Sequence, residues 1–211
     1  MAVAVFTKES LKQLCDRLAA EHAVFHTILQ QYGYPPFWSR TASFATLIHI
    51  VLEQQVSLAS AKAAFLKLQE KIGTVTPEKL LLLTDEEMKA CYFSRQKTVY
   101  ARELAHHVLE KQLVIEELEH LPDEWVRRQL TAVKGIGNWT ADIFLMMVLH
   151  RTDCFPPGDI ALITSLREAV AAAPGTTKET LLAVTENWRP YRTIAAFLLW
   201  HAYICKRNIR L

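Results

Sequence analysis

Helix-start signals recur along this chain, and between them apolar residues fall at three- and four-residue spacing. Thr76-Pro77 offers a cap followed by proline in the first turn. Thr84 to Glu87 and Thr176 to Glu179 match the capping-box spacing, in which a hydroxyl and an acid each accept a backbone N–H from the other's end. Leu121-Pro122-Asp123-Glu124 puts proline and two acids where the positive end of a helix favours them. Alternating strand patterns are scarce. The chain therefore reads as all-α, with helices predicted over residues 8–30, 41–53, 57–71, 77–83, 85–90, 94–110, 122–133, 138–150, 159–172, 177–187 and 190–206.

Pro35-Pro36 and Phe155-Pro156-Pro157-Gly158 are the strongest interruptions, because they combine fixed backbone angles with lost N–H donors. They mark an N-terminal helical segment (1–38), a central helical lobe (39–150) and a C-terminal helical segment (151–211). The expected arrangement is two lobes, with the central block packing as one and the two ends meeting as the other. At 211 residues and 51% apolar content the chain can bury a sizeable core, which excludes disordered and cross-linked miniprotein classes.

Cys15, Cys91, Cys154 and Cys205 lie far apart and form no C-x-x-C pair, so the sequence carries no local zinc or iron–sulfur signature and reads as a chain from a reducing compartment. The eight histidines form no H-E-x-x-H pattern, and Ser57 and Ser60 have no matching His and carboxylate for a triad. No apolar run reaches membrane-spanning length, and MAVAVFTKES lacks a basic region followed by a long apolar one. A cytoplasmic protein with no membrane association and no cofactor is expected. Charge is unevenly spread: residues 1–122 hold 13 Lys/Arg against 14 Asp/Glu, whereas residues 123–211 hold 11 against 8. The formal net charge of +2 is too small to announce a nucleic-acid partner, and this asymmetry is a hint only.

One segment does not follow from helix packing alone. LTAVKGIGNWTADIFLMMVL, from Leu130 to Leu149, is cut by Lys134-Gly135-Ile136-Gly137-Asn138 and then resumes its helical pattern. Two glycines permit a tight turn and close external approach, Ile136 can bury between the joined helices, and Asn138 can cap the second one. Backbone N–H groups at that helix start then form an anion cradle, suited to a DNA phosphate, with Lys134 adding charge and Arg127, Arg128 or Arg151 extending the surface. The alternative is that the glycines serve only to turn the chain. Glu53-Gln54-Gln55-Val56-Ser57 similarly sets polar groups between two helices, where they either approach a DNA groove or form a local cap network. Asp159 enters a helical pattern after Phe155-Pro156-Pro157-Gly158, as an N-cap whose charge is favoured at that position.

GIGNWTAD, FPPGD and WRPYRTIAAFLLW, together with EQQVSLASAKAAF and FSRQKTVYARELA, resemble the helix-hairpin-helix DNA glycosylase superfamily. The similarity is greatest to its monofunctional alkylpurine branch, typified by bacterial 3-methyladenine DNA glycosylase II, and covers about Phe37 to Tyr203. It implies a two-lobed all-α fold. The larger bacterial relatives carry an N-terminal β domain, for which this helical N-terminus leaves little room. It also implies removal of a damaged base, such as 3-methyladenine or 7-methylguanine, from duplex DNA after the nucleotide is rotated out of the stack.

The resemblance places Gly135 and Gly137 at a phosphate-gripping hairpin whose backbone carbonyls can hold Na+ or K+, and Asp159 at the catalytic carboxylate. It places Trp139 and Trp200 as base-pocket walls and Gln55 at the residue that wedges into the duplex, where the bacterial relative has leucine. Phe37 and Trp38 either line the alkyl-base side of the pocket or, by a slight preference, pack in the core or at the lobe junction. Trp188 and Tyr191 are expected to support the helix carrying Trp200, and Asp142 to be structural. Relatives that also cleave the strand carry a lysine where this chain has Trp139, which implies hydrolysis alone and an abasic product. The family's pocket tyrosine corresponds to Ile143 here. A monomer on one duplex is expected; a non-enzymatic helix-hairpin-helix DNA-binding module is the rival reading.

Overall fold

The structure, a computed structural model, describes residues 4–209. Residues 1–3 and 210–211, at the ends of the first and third predicted segments, lie outside the described residues. Twelve α-helices are described: α1 (Lys8–Glu21), α2 (Ala23–Tyr32), α3 (Phe44–Glu53), α4 (Leu58–Ile72), α5 (Pro77–Leu81), α6 (Asp85–Ala90), α7 (Arg95–Leu109), α8 (Asp123–Thr131), α9 (Asn138–Met147), α10 (Ile160–Ala169), α11 (Lys178–Thr185) and α12 (Arg192–Lys206). Short 3₁₀ turns occupy Ile115–His120 and Glu186–Trp188. The fold is all-α. Extended pairing among the described residues is confined to an isolated bridge between Val5 and Arg151. No described helix is long and apolar enough to cross a membrane.

Local hydrogen bonding accounts for most helix starts. Thr84 and Glu87 form a reciprocal capping box, with Glu87 N–H to the Thr84 hydroxyl at 3.2 Å and Thr84 N–H to the Glu87 carboxylate at 3.0 Å. Thr76 caps α5, with Pro77 in its first turn. At α11 the cap is Thr177, whose hydroxyl accepts from Thr180 N–H at 3.2 Å, and not Thr176. Thr176 instead closes the preceding turn by donating to the Ala173 carbonyl at 2.7 Å. Two adjacent threonines offer the same cap chemistry, and the turn after Gly175 decides between them.

The single helix predicted over 8–30 is in fact two. His22 adopts an extended backbone (φ −136°, ψ 113°) that ends α1 and begins α2. Its carbonyl accepts from Phe25 N–H at 3.0 Å. Leu11, Cys15 and Leu18 bury one face of α1, and Phe25 and Ile28 bury α2. That series keeps helical spacing across His22, so periodicity cannot reveal the break. It arises because both helices pack against α12 as well as each other.

The chain forms two compact units. One comprises the described residues up to Ser39 together with those from Leu145; the other is Arg40–Phe144. In the first, α12 runs through the interior, with every residue from Thr193 to Trp200 buried, as expected of a helix apolar on all sides. α1, α2 and α10 pack on it. The extended residues 4–6 are pinned by Phe6 N–H to the His150 carbonyl (2.9 Å) and Thr152 N–H to the Ala4 carbonyl (3.1 Å). In the second unit α3 is the central helix, buried at seven of its ten positions, with α4 and α7 against it.

Candidate active site and hairpin

In the second unit the two glycines have different jobs. Gly135 has φ +94°, a left-handed conformation that side chains rarely adopt, and a Cβ there would lie 2.0 Å from Cγ of Tyr100. Gly135 is thus required by the fold. Gly137 has no positive φ, and a Cβ there would meet nothing within 4 Å. Its surface is open to whatever approaches. Between them Ile136 is buried, as the sequence predicts, and its N–H bonds the Val133 carbonyl at 3.0 Å to close the turn.

Asn138 is the first residue of α9 rather than its cap. The Gly137 carbonyl accepts the first helical bond, from Ala141 N–H at 3.1 Å, so Gly137 takes the cap position. A glycine can cap a helix with little penalty, and the correction leaves the N–H groups of the first turn directed away from the helix's own carbonyls. Lys134, Gly137 and Asn138 are exposed.

The arginines expected to extend this surface divide. Arg128 is exposed and lies over the Trp125 ring, 5.4 Å from its centroid. Arg127 is committed inward: its Nε and Nη2 donate to Asp142 Oδ1 at 3.0 and 2.7 Å, tying α8 to α9 across the hairpin. Asp142 is thereby structural. Arg151 is only 2% exposed, buried in the first unit, and does not belong to a ligand-facing surface.

Gln54 also faces inward. Its Nε2 donates to the Gly135 carbonyl at 2.9 Å and to the Thr140 hydroxyl at 3.0 Å. Both amide hydrogens are engaged by the hairpin, so Gln54 does not present them outward as expected from the sequence. Gln55 is exposed at the tip of the α3–α4 turn with φ +57°. Local pattern does not single out Thr140 or Tyr100 for the hairpin, since Tyr100 reaches it from α7 and Thr140 from inside α9.

In the first unit Asp159 caps α10: its Oδ1 accepts from Leu162 N–H at 2.8 Å. The same oxygen accepts from the Trp200 indole N–H at 3.2 Å. Asp159 and Trp200, 41 positions apart, are therefore one assembly. Trp200 is 7% exposed and meets Trp38 edge-on, with ring centroids 6.4 Å apart. Trp38 in turn packs against Phe197 at 5.2 Å.

Phe37 turns the other way, stacking on His150 at 4.9 Å and meeting Phe6 edge-on at 5.8 Å. Burial holds the His150 imidazole below its ordinary value, so the ring stacks in its neutral form. Trp188 is buried against Phe25, and Tyr191 hydrogen-bonds Arg17 at 2.9 Å, both supporting the N-terminal side of α12. Trp139 is the second residue of α9 and partly exposed. Among the described residues no group of three or more His, Cys, Asp or Glu could hold a metal ion.

Comparison with known proteins identifies the family. The model of the HhH-GPD superfamily of base excision DNA repair proteins matches residues 48–190. The chain belongs to that superfamily. DNA-3-methyladenine glycosylase 1 of Schizosaccharomyces pombe is 31% identical over 161 residues, covering 74% of this chain and 71% of that protein. The Bacillus subtilis protein YfjP is 25% identical over 183 residues, covering 83% of this chain; the chain spans 64% of that protein's length. The structure of the S. pombe 3-methyladenine DNA glycosylase in complex with abasic DNA superimposes with a TM-score of 0.81 at 28% identity, covering 89% of this chain and 95% of that one. Within the superfamily match fall the whole hairpin, Gln54, Gln55, Trp139 and Asp159, whereas Phe37, Trp38 and Trp200 lie outside it.

Proposed function

We propose that this HhH-GPD protein is a monofunctional DNA glycosylase that hydrolyses the N-glycosidic bond of alkylated purines, such as 3-methyladenine and 7-methylguanine, in duplex DNA and leaves an abasic site. The observation that carries the reading is the Asp159 carboxylate, oriented by two N–H donors, from Leu162 and the Trp200 indole. Such a group is suited to stabilise the positive charge that develops on the sugar as the base departs. The names of the relatives and the abasic DNA held by the S. pombe structure support both substrate class and polymer.

In this mechanism the hairpin amides around Gly137 hold a backbone phosphate, and the nucleotide leaves the stack with Gln55 filling the space. Trp200, which Trp38 meets edge-on, contacts the electron-poor ring. The C–N bond breaks with its electron pair going to the base. For N3-methyladenine and N7-methylguanine that pair neutralises a positive leaving group, so no general acid is needed. Water adds to the anomeric carbon and loses its proton towards Asp159 and bulk solvent. No lysine occupies the position of Trp139, so no imine with the sugar forms there. The Gly135 carbonyl is shared with Gln54 and the Gly137 carbonyl with Ala141, and a Na+ or K+ on this backbone would take its coordination alongside those bonds.

The test is release of 7-methylguanine or 3-methyladenine from duplex DNA, followed as abasic sites, by wild type and Asp159→Asn. The carboxamide oxygen keeps both N–H partners while charge is lost. A fall of about 100-fold or more is expected. Undiminished release by D159N would reject the catalytic role, and binding to an abasic duplex with no release from any alkylated base would favour a DNA-binding module instead.

A further inference from the structure

The α3–α4 turn has an exposed tip but is anchored on both sides. Gln55 has φ +57°, a conformation costly for a side chain with a Cβ, which persists only where its surroundings impose it. Its neighbours are anchored from several sides. Arg40 grips Glu53 with two bonds, at 2.9 and 2.7 Å. Lys97, from α7, donates its ammonium to the Leu52 carbonyl at 2.5 Å and so caps the end of α3. Gln54 reaches the hairpin, touching it on both sides of Gly137, through the Gly135 carbonyl and the Thr140 hydroxyl. The Gly135 carbonyl can only accept, which fixes the amide nitrogen on that side. Beyond these anchors the chain is open: Gln55 is exposed, with Val56 45% and Leu58 50% exposed beside it.

We infer that Gln54 is a positioning residue which ties the wedge turn to the phosphate-gripping hairpin, so that seating the hairpin on the DNA backbone places Gln55 at the base stack. The inference rests on the glycosylase reading, but assigns Gln54 a role distinct from DNA contact. Among the described residues, Gln54 joins the two surface turns, whereas Arg40 and Lys97 act on α3 itself. Gln54 cannot offer its amide hydrogens to a base without releasing the hairpin, and it acts through the geometry it imposes on its neighbour. A carboxamide suits this place because it supplies two N–H donors to two acceptors without burying a charge. Loss of the tie leaves each turn intact and removes their fixed spacing.

Gln54→Leu keeps approximate volume and removes both bonds. Single-turnover release of 7-methylguanine is measured from a fully paired duplex and from the same sequence with the lesion in an unpaired bubble, where the wedge has no pair to open. On the duplex the variant is expected to lose on the order of tenfold or more, because small misplacements of positioning groups have effects of that size. In the bubble the loss is expected to be small. A general structural defect would depress both substrates alike. Equal losses on the two, or wild-type release from the duplex, would overturn the inference.

A second readout separates this role from the chemistry. 2-Aminopurine placed beside an abasic-site analogue brightens when it unstacks. Wild type is expected to brighten it and Q54L to bind the same duplex with a much smaller rise. An equal rise with both proteins would overturn the coupling. If wild type brightens the probe but releases no base from any substrate, the glycosylase reading fails while the tie stands.

Discussion

Replacing Gly135 with alanine tests whether the first glycine of the hairpin is demanded by the fold. The added Cβ is forced into φ +94° and lies 2.0, 2.3 and 2.5 Å from three ring carbons of Tyr100. The left-handed backbone alone costs about 1–2 kcal/mol for a non-glycine residue. Pushing the half-buried ring aside adds about 1–3 kcal/mol. Together they destabilise the protein by about 2–5 kcal/mol, or about 5–15 °C in thermal midpoint for a chain of this size.

Gly137→Ala is the internal control, since its Cβ meets nothing within 4 Å and its φ is not positive. It should melt within a few degrees of wild type, yet bind an abasic duplex more weakly if a phosphate approaches that backbone. Far-UV circular dichroism follows the melts, and fluorescence anisotropy the binding. Tyr100→Ala in the G135A background should cost less than the two single changes added together, because the ring that clashes has gone. A G135A protein that melts with wild type would refute the steric reasoning, and a G137A protein as destabilised as G135A would refute the division of labour.

Two further outcomes follow from buried titratable groups. Burial holds His49 below the ordinary imidazole value of 6.5, with Arg40 and Lys62 pushing the same way and Glu53 opposing, and burial does the same to His150. The unfolded chain therefore takes up these protons at higher pH than the folded one. The stability they contribute is present above pH 6.5 and is lost as pH falls from there through the depressed folded values. Urea midpoints should drop between about pH 7.5 and about pH 5.5, with a smaller drop in a His49→Gln/His150→Gln variant; a constant wild-type midpoint would contradict this. Cys15 is fully buried, and burial, aided by the charge of Asp16, pushes its thiol up to about 12. A thiol reagent near neutral pH should label half-buried Cys205 first and reach Cys15 only on unfolding, so equal native labelling rates at the two would count against the packing described for α1.

What the sequence alone determined is what acts over three or four residues. The reciprocal bonds of Thr84 and Glu87, the cap at Thr76 before Pro77 and the position of Asp159 ahead of α10 each depend on neighbours along the chain, so residue types reveal them. The all-α class follows from the same signals repeated. The motifs around GIGNWTAD and FPPGD also carried the resemblance to the superfamily, because backbone turns of that kind constrain residue type locally.

Other features needed the folded chain. His22 breaks a helix whose apolar spacing runs straight through it, since two helices cover α12 better than one. Arg127, expected on a surface, turns to Asp142, and Gln54 turns from the groove to the hairpin. Thr176 and Thr177 were equivalent until the preceding turn claimed the first. Tyr100 meets Gly135 from α7, and Trp200 reaches Asp159 across 41 positions. The physical reason is common to all of them. A capping bond is chosen by the few atoms within one helical turn, whereas a side chain that can satisfy its donors in several places is placed by whichever helices packing brings beside it.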